Sequence, residues 1–237
     1  MVAAKKKIQD YLTQSMRKLK HRKGYGVHSP FAYSIITEVI EEKLPYYAYR
    51  RMLRTYDKQA PIPHKVACLL LRLANRFHCR RVAELSCDGG YTILPLILTD
   101  SRLTITSLAS QDQALQTRER LSWVGRHMQQ VAFASQPEQM DGSYDMIVVN
   151  DNPWATGRNQ TPEAADAATL QLAAWLLEHS HDDTVIWVRG IQPRQQMEKL
   201  WDVLCDHDEV SITMDLYNYG FAILKPRFFK QHYIVAF

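Results

Sequence analysis

The segment from Arg81 to Leu96 reads RVAELSCDGGYTILPL and gathers the residues best suited to holding a charged ligand. Val82, Ala83 and Leu85 form the short apolar run of a buried strand, with Glu84 near its end. The small-residue loop Ser86-Cys87-Asp88-Gly89-Gly90 follows, and Tyr91-Thr92-Ile93-Leu94 opens an apolar helical pattern. Strand, tight loop and helix N-terminus together make a cradle for a nucleotide-like cofactor. Small residues let a ligand reach the backbone, and unpaired helix N–H groups point at it. The same residues also have purely structural uses: Asp88 as a helix cap, and Glu84 as the partner of a nearby Lys or Arg.

A second group lies near residue 150. Tyr144-Asp145 lead into the apolar run Met146-Ile147-Val148-Val149, and Asn150-Asp151 stand at its end. Side chains at the end of a buried strand either face a ligand or satisfy local backbone. His28 sits in the loop Gly24-Tyr25-Gly26-Val27-His28-Ser29-Pro30-Phe31, where Ser29 can cap a helix that has Pro30 at its first position. His28 and Asp151 are the two candidate general bases. The nine histidines show no His-x-x-x-His spacing, and Cys68, Cys79, Cys87 and Cys205 include no Cys-x-x-Cys pair. Neither a zinc site nor a disulfide framework is expected, and the chain reads as a reduced, cytoplasmic protein.

These residues need a scaffold, and the pattern supplies one. Residues 5–20 place Ile8, Tyr11, Leu12, Met16 and Leu19 on one helical face. A second helix is expected over 30–42, a Tyr/Arg-rich stretch over 46–56, and a border at Pro61 and Pro63. Helix and strand then alternate: helices over 64–77, 91–98, 112–128, 162–179 and 192–206; strands over 81–85, 103–108, 131–134, 144–150 and 184–188. The inward face of the 162–179 helix is read as Leu170, Ala173, Ala174 and Leu177. Two or three strands close the chain over 210–217, 220–225 and 232–237, with Asn218-Tyr219-Gly220 as a hairpin turn. Alternation of this kind implies a doubly wound, mostly parallel α/β sheet with an antiparallel C-terminal hairpin. Residues 1–60 are read as a basic helical extension and 61–237 as the main domain.

Composition bounds the partners. The 237 residues are 46% hydrophobic, and no apolar run approaches the roughly 20 residues of a membrane span. No secretory signal is expected after Met-Val-Ala-Ala-Lys-Lys-Lys. Residues 1–54 carry twelve Lys/Arg against four Asp/Glu, whereas the whole chain carries 29 against 25. The positive charge therefore belongs to the N-terminal segment, which could meet nucleic acid or another anionic partner, or serve as a solubilising face. The first helix and the 46–56 stretch could also form a homodimer interface.

The frame Glu84-Leu85-Ser86-Cys87-Asp88-Gly89-Gly90-Tyr91-Thr92 resembles the first motif of small O-methyltransferases of the catechol type, within the class I S-adenosylmethionine-dependent methyltransferase fold. Tyr144 to Asp151 resembles their fourth motif, and the likeness spans about residues 64–237. The His28-Ser29-Pro30-Phe31 module is similar to one in a bacterial branch of the same fold. The resemblance implies a Rossmann-like sheet of seven strands with S-adenosylmethionine as the small-molecule cofactor. It places Glu84 by the methionine amine, Ser86, Cys87, Asp88, Gly89 and Gly90 around the methionine part, and Asn150-Asp151 facing the transfer site. A zwitterionic, sulfonium-bearing ligand requires such a carboxylate and such close backbone approach.

The sequence departs from that pattern at four places. Ser86 replaces the first loop glycine. Ser107-Leu108-Ala109-Ser110 lacks the acid that holds both ribose hydroxyls, and Ala134-Ser135-Gln136 lacks the Asp near adenine. Arg189-Gly190 stands where metal-dependent members carry Asp-Asn, so no catalytic metal is expected. Two functions follow: a methyltransferase acting on a small molecule or an exposed polymer group, or a fold that lost the chemistry and serves as a binding module, with nucleic acid as one partner.

Overall fold

Apolar runs rich in β-branched residues build the centre of one sheet. In a computed structural model, which describes residues 13, 15–17, 26–57, 59–155, 161–192 and 197–237, these runs are β1 (Arg81–Leu85), β2 (Thr104–Leu108), β3 (Val131–Ala134), β4 (Met146–Val149) and β5 (Val185–Arg189). All five pair in parallel. β6 (Ile212–Asp215), β7 (Tyr219–Ile223) and β8 (Gln231–Ile234) complete the order β3-β2-β1-β4-β5-β7-β6-β8. β7 runs antiparallel to both β5 and β6, forming the expected hairpin. The sheet has eight strands rather than seven. The addition is β8, which pairs in parallel with the outer edge of β6 and alternates between half-buried and exposed residues.

The strand order reverses between β1 and β4. Connections from β1 lead one way to β2 and β3, and those from β4 lead the other way to β5. The loops after β1 and β4 therefore diverge, and a cleft opens at the carboxyl ends of the strands.

Helices cover both faces. α1 (Pro30–Ile35) is capped by the Ser29 hydroxyl, which accepts from the Ala32 N–H at 3.3 Å, and continues as a wider, π-type turn over Ile36–Ile40. α2 (Tyr47–Met52), α3 (His64–Arg76) and α4 (Ile93–Ile97) pack on the same side of the sheet. α5 (Gln111–Arg120) does not reach residue 128 as the apolar spacing suggests. Gly125 takes φ +61° and ψ −126°, and Ser122–Gln130 forms a separate 3₁₀ segment. α6 (Pro162–Glu178) and α7 (Glu198–Asp206) cover the opposite face. α6 buries Ala168, Leu172, Ala173, Trp175 and Leu176, whereas Leu170, assigned inward from the sequence, is 60% exposed. Of the first predicted helix, Thr13 and residues 15–17 are helical; Ile8, Tyr11, Leu12 and Leu19 lie outside the described residues. Met16 is 56% exposed, and Arg17 pairs with Asp215 at 2.7 Å.

The N-terminal extension shares the main core. Ile35, Ile36, Val39, Ile40, Ala48 and Met52 bury themselves in the cluster that holds α3 and one face of the sheet. Arg72 of α3, 6% exposed, fastens them. Its Nε donates to the Val39 carbonyl at 2.5 Å, one terminal nitrogen to the Ile40 carbonyl at 3.4 Å, and the other to the Tyr49 hydroxyl at 2.8 Å. The guanidinium thereby satisfies carbonyls that the end of the π-type turn leaves open.

Candidate functional site

Alternation along β1 sends Val82 and Glu84 to one face and Ala83 and Leu85 to the other. Glu84 is fully buried. The hydroxyls of Thr92 and Ser107 donate to its two carboxylate oxygens, and Asn150 Nδ2 donates to Oε1 at 3.0 Å. Asn150 Nδ2 also lies 3.1 Å from the Thr92 hydroxyl. Among the described residues no Lys or Arg pairs with Glu84. Burial pushes its carboxyl up to about 8 and the neighbouring Asp88 adds to the rise, outweighing the hydroxyl donors that pull it down. Glu84 thus ties four elements together beneath the loop: the end of β1, the neighbouring β2, the turn before α4, and the end of β4.

The loop above it is tightly specified. Ser86 takes φ +63°, the left-handed region that the glycine of the resembling motif would favour, and its hydroxyl donates to the Asp151 carbonyl at 3.1 Å. Gly90 takes φ +95°, and a Cβ there would lie 2.9 Å from Leu121 Cδ1 and 3.0 Å from Thr117 Cγ2. Asp88 Oδ1 accepts from the Thr92 N–H at 3.1 Å, holding the turn before α4; Thr92 itself is the N-cap, and the helix carries no side-chain cap. Tyr56 of the N-terminal extension donates to the Tyr91 carbonyl and lies edge-on to its ring at 5.7 Å.

Two cavities open over this loop and share Ser86 and Gln113. The first, of about 400 Å³, is lined by Ser86, Cys87, Asp88, Asn150, Asp151 and Arg189, with Pro61 and Met197 as apolar walls. Among the described residues Asp88 Oδ2 and Asn150 Oδ1 are buried without a hydrogen-bond partner. Burial raises the Asp88 carboxyl, and the facing Arg189 partly offsets this. Arg189 stands at the end of β5, fixed by its pairing with Tyr219 and by the 2.7 Å bond from the Gly190 N–H to the Asn218 carbonyl. The second cavity, of about 480 Å³, runs past Leu108, Ser110, Ser135, Gln136 and Glu138 to Trp154. Gln113 braces the junction: its Nε2 donates to the Cys87 carbonyl at 3.2 Å, and its Oε1 accepts from the Ser110 N–H at 2.9 Å.

Of the residues singled out from the sequence, Ser86, Cys87, Asp88, Asn150 and Asp151 converge on the first cavity. Glu84, Gly89 and Gly90 shape the loop without lining either cavity. His28 stands apart. It is exposed, and Phe31 of the same module stacks on Phe228 at 4.7 Å and meets Phe77 edge-on at 6.4 Å, beside the amino end of β1. Gln113, Met197 and Trp154 were not singled out beforehand. Only position after a strand or within a helix N-terminal turn marks them in the sequence.

No family model and no curated protein matches the sequence. Solved structures do match the fold. The O-methyltransferase TomG from Streptomyces achromogenes, solved in complex with SAM, shares 15% identity over 77% of this chain and 91% of its own, with a TM-score of 0.57. A putative O-methyltransferase from Klebsiella pneumoniae shares 14% over 81% and 96%, TM-score 0.58. An O-methyltransferase from Bacillus cereus in complex with SAH shares 13% over 81% and 97%, also at 0.58. The chain has the class I S-adenosylmethionine-dependent methyltransferase fold. Among the described residues no helix is long and apolar enough to cross a membrane.

Proposed function

We propose that this protein is an S-adenosylmethionine-dependent methyltransferase whose reaction centre is the cavity between Asp88, Asn150, Asp151 and Arg189. The observation that carries the reading is the pair of buried, unpartnered acceptors, Asp88 Oδ2 and Asn150 Oδ1, in the same cavity as a guanidinium. Buried polar atoms are nearly always hydrogen-bonded, to protein, to water or to a ligand. The two acceptors suit the cofactor's α-ammonium, and Arg189 suits its α-carboxylate. When bound, the cofactor supplies an electrophilic methyl group on a sulfonium. The net charge of the lining, two carboxylates against one guanidinium, complements that of the whole ligand.

The chain's own residues then have distinct tasks. Ser86, Cys87 and Asp88 hold the ligand against the backbone. Asp151, whose Oδ1 accepts from the Asn152 N–H at 2.7 Å, stands where it could take a proton from an acceptor hydroxyl. Pro61 and Met197 narrow the space, so that positioning rather than covalent help supplies the rate. Arg189 in place of an oxygen donor makes the first cavity a poor seat for Mg²⁺. The acceptor would be a small molecule or an exposed polymer group. Isothermal titration with S-adenosylmethionine and its demethylated product tests the reading. We expect saturable binding that Arg189→Met weakens about tenfold. Absence of binding at millimolar ligand would overturn it.

One observation favours a second reading, a fold retained as a binding module: Leu108, only 7% exposed, lines the second cavity at the end of β2, where a ribose carboxylate is expected from the resemblance.

A further inference from the structure

A third cavity, of about 410 Å³, adjoins the second and shares Pro137, Glu138, Trp154 and Gln171 with it. Its walls are aromatic. The rings of Trp175 and His179 stack with centroids 4.0 Å apart and planes 14° from parallel, and Trp154 lies 6.2 Å from Trp175 at 49°. Both His179 ring nitrogens are turned to backbone carbonyls, Nδ1 2.9 Å from that of Trp175 and Nε2 3.1 Å from that of Met140, and a neutral ring donates to one of them. Trp154 is held by a turn in which its N–H donates to Asn152 Oδ1 at 2.9 Å.

Among the described residues, the carboxylates lining this cavity face no lysine or arginine across it, although Arg81 lies over the Tyr144 ring behind it at 5.2 Å. Glu138 and Glu178 line the cavity, both exposed, and neither forms an ion pair among the described residues. Among the described residues no Lys or Arg is in the lining. Glu178 is the last residue of the 17-residue α6, so the negative end of the helix dipole falls here as well. Aromatic faces and unpaired carboxylates attract the same ligand, an organic cation. Phosphate-bearing partners are repelled.

We propose that this cavity is a binding site for an organic cation, an alkylammonium or guanidinium group, placed so that its occupant shares the Trp154 wall with the second cavity. The inference stands independently of methyl transfer, since it uses neither Arg189 nor the loop after β1.

Saturation-transfer NMR on the full chain at low salt tests it, with tetramethylammonium as probe and tert-butanol as its neutral counterpart of similar shape. Acetyl-Gly-Arg-Gly-amide serves as a chain-borne guanidinium without a free amine. The expected result is saturable transfer to tetramethylammonium, at least about tenfold tighter than to tert-butanol and weakened about tenfold or more in Glu138→Gln/Glu178→Gln. Both substitutions lie on exposed positions, and an unchanged melting temperature confirms that the fold is intact. Binding of the peptide as well assigns the natural source to an Arg or Lys side chain. A silent peptide beside a bound tetramethylammonium assigns it to a free amine. Equal binding of the neutral probe, undiminished binding in the double variant, or no binding of either cation would overturn the proposal.

Discussion

The Ser86 hydroxyl donates to the Asp151 carbonyl at 3.1 Å, joining the loop after β1 to the loop after β4 across the point where the strand order reverses. Ser86 makes this bond from a left-handed backbone, φ +63°, that costs a non-glycine residue about 1 kcal/mol. Two substitutions separate the terms. Ser86→Ala keeps the strain and loses the bond, and should destabilise by about 1 kcal/mol. Ser86→Gly loses the bond but relieves the strain, and should stay within about 0.5 kcal/mol of the natural protein. Urea denaturation measures both, and equal stability of the two variants would refute the strain account.

Glu84 makes stability depend on pH. Its folded carboxyl titrates near 8 against an ordinary value of 4.5, so the fold favours the protonated form. The contribution is complete below the unfolded value and is lost as pH rises through the folded one, with a slope of up to about 1.4 kcal/mol per pH unit. Urea denaturation between pH 5 and 8 should show the decline. Glu84→Gln, which cannot ionise, should flatten it. A variant that declines as steeply as the natural protein would show that another group is responsible.

Arg72 joins the extension to the main core through three hydrogen bonds, with no carboxylate partner among the described residues. Arg72→Met keeps much of the volume but strands the Val39 and Ile40 carbonyls. It should cost about 3 kcal/mol and raise proteolytic cleavage within residues 30–57 before the sheet unfolds. Uniform loss of protection across the chain would indicate that extension and sheet unfold together.

Leu108 separates the two readings of the cleft. Leu108→Asp places a carboxylate at the end of β2, where it can accept from two vicinal hydroxyls. It should tighten S-adenosylmethionine binding about tenfold if the natural site lacks only that contact. Titration calorimetry on both proteins decides. A natural protein that already binds at micromolar concentration would remove the binding-module reading.

Much of this architecture was legible because strands buried on both faces read as unbroken apolar runs. Met146 to Val149 and Val185 to Val188 admit no other placement, and both are fully buried. α6 was harder. Its segment Ala167-Ala168-Thr169-Leu170-Gln171-Leu172-Ala173-Ala174-Trp175-Leu176-Leu177 is apolar nearly all round, so two stripes at helical spacing compete. The stripe with Leu172, Trp175 and Leu176 is the buried one, because it brings the indole against Tyr144 and His179. α5 ends at Leu121, φ −98° and ψ +10°, and the 3₁₀ segment after it kinks at Gly125, a conformation that spacing does not reveal. Within the site, the loop residues announced themselves by size and charge. Arg189 was read only as an obstacle to metal, since its place opposite Asp88 depends on β5 and β1 lying two strands apart.

β8 has a further consequence. Ile212, Thr213 and Met214 of β6 are buried, and β8 caps their outer backbone rungs with only four residues. A protein cut before Gln231 would expose a greasy, unpaired ribbon flank able to recruit copies of itself. Removal of the last seven residues is therefore expected to promote fibrous self-assembly. Light scattering of such a shortened chain should reveal growing particles where the intact protein remains clear.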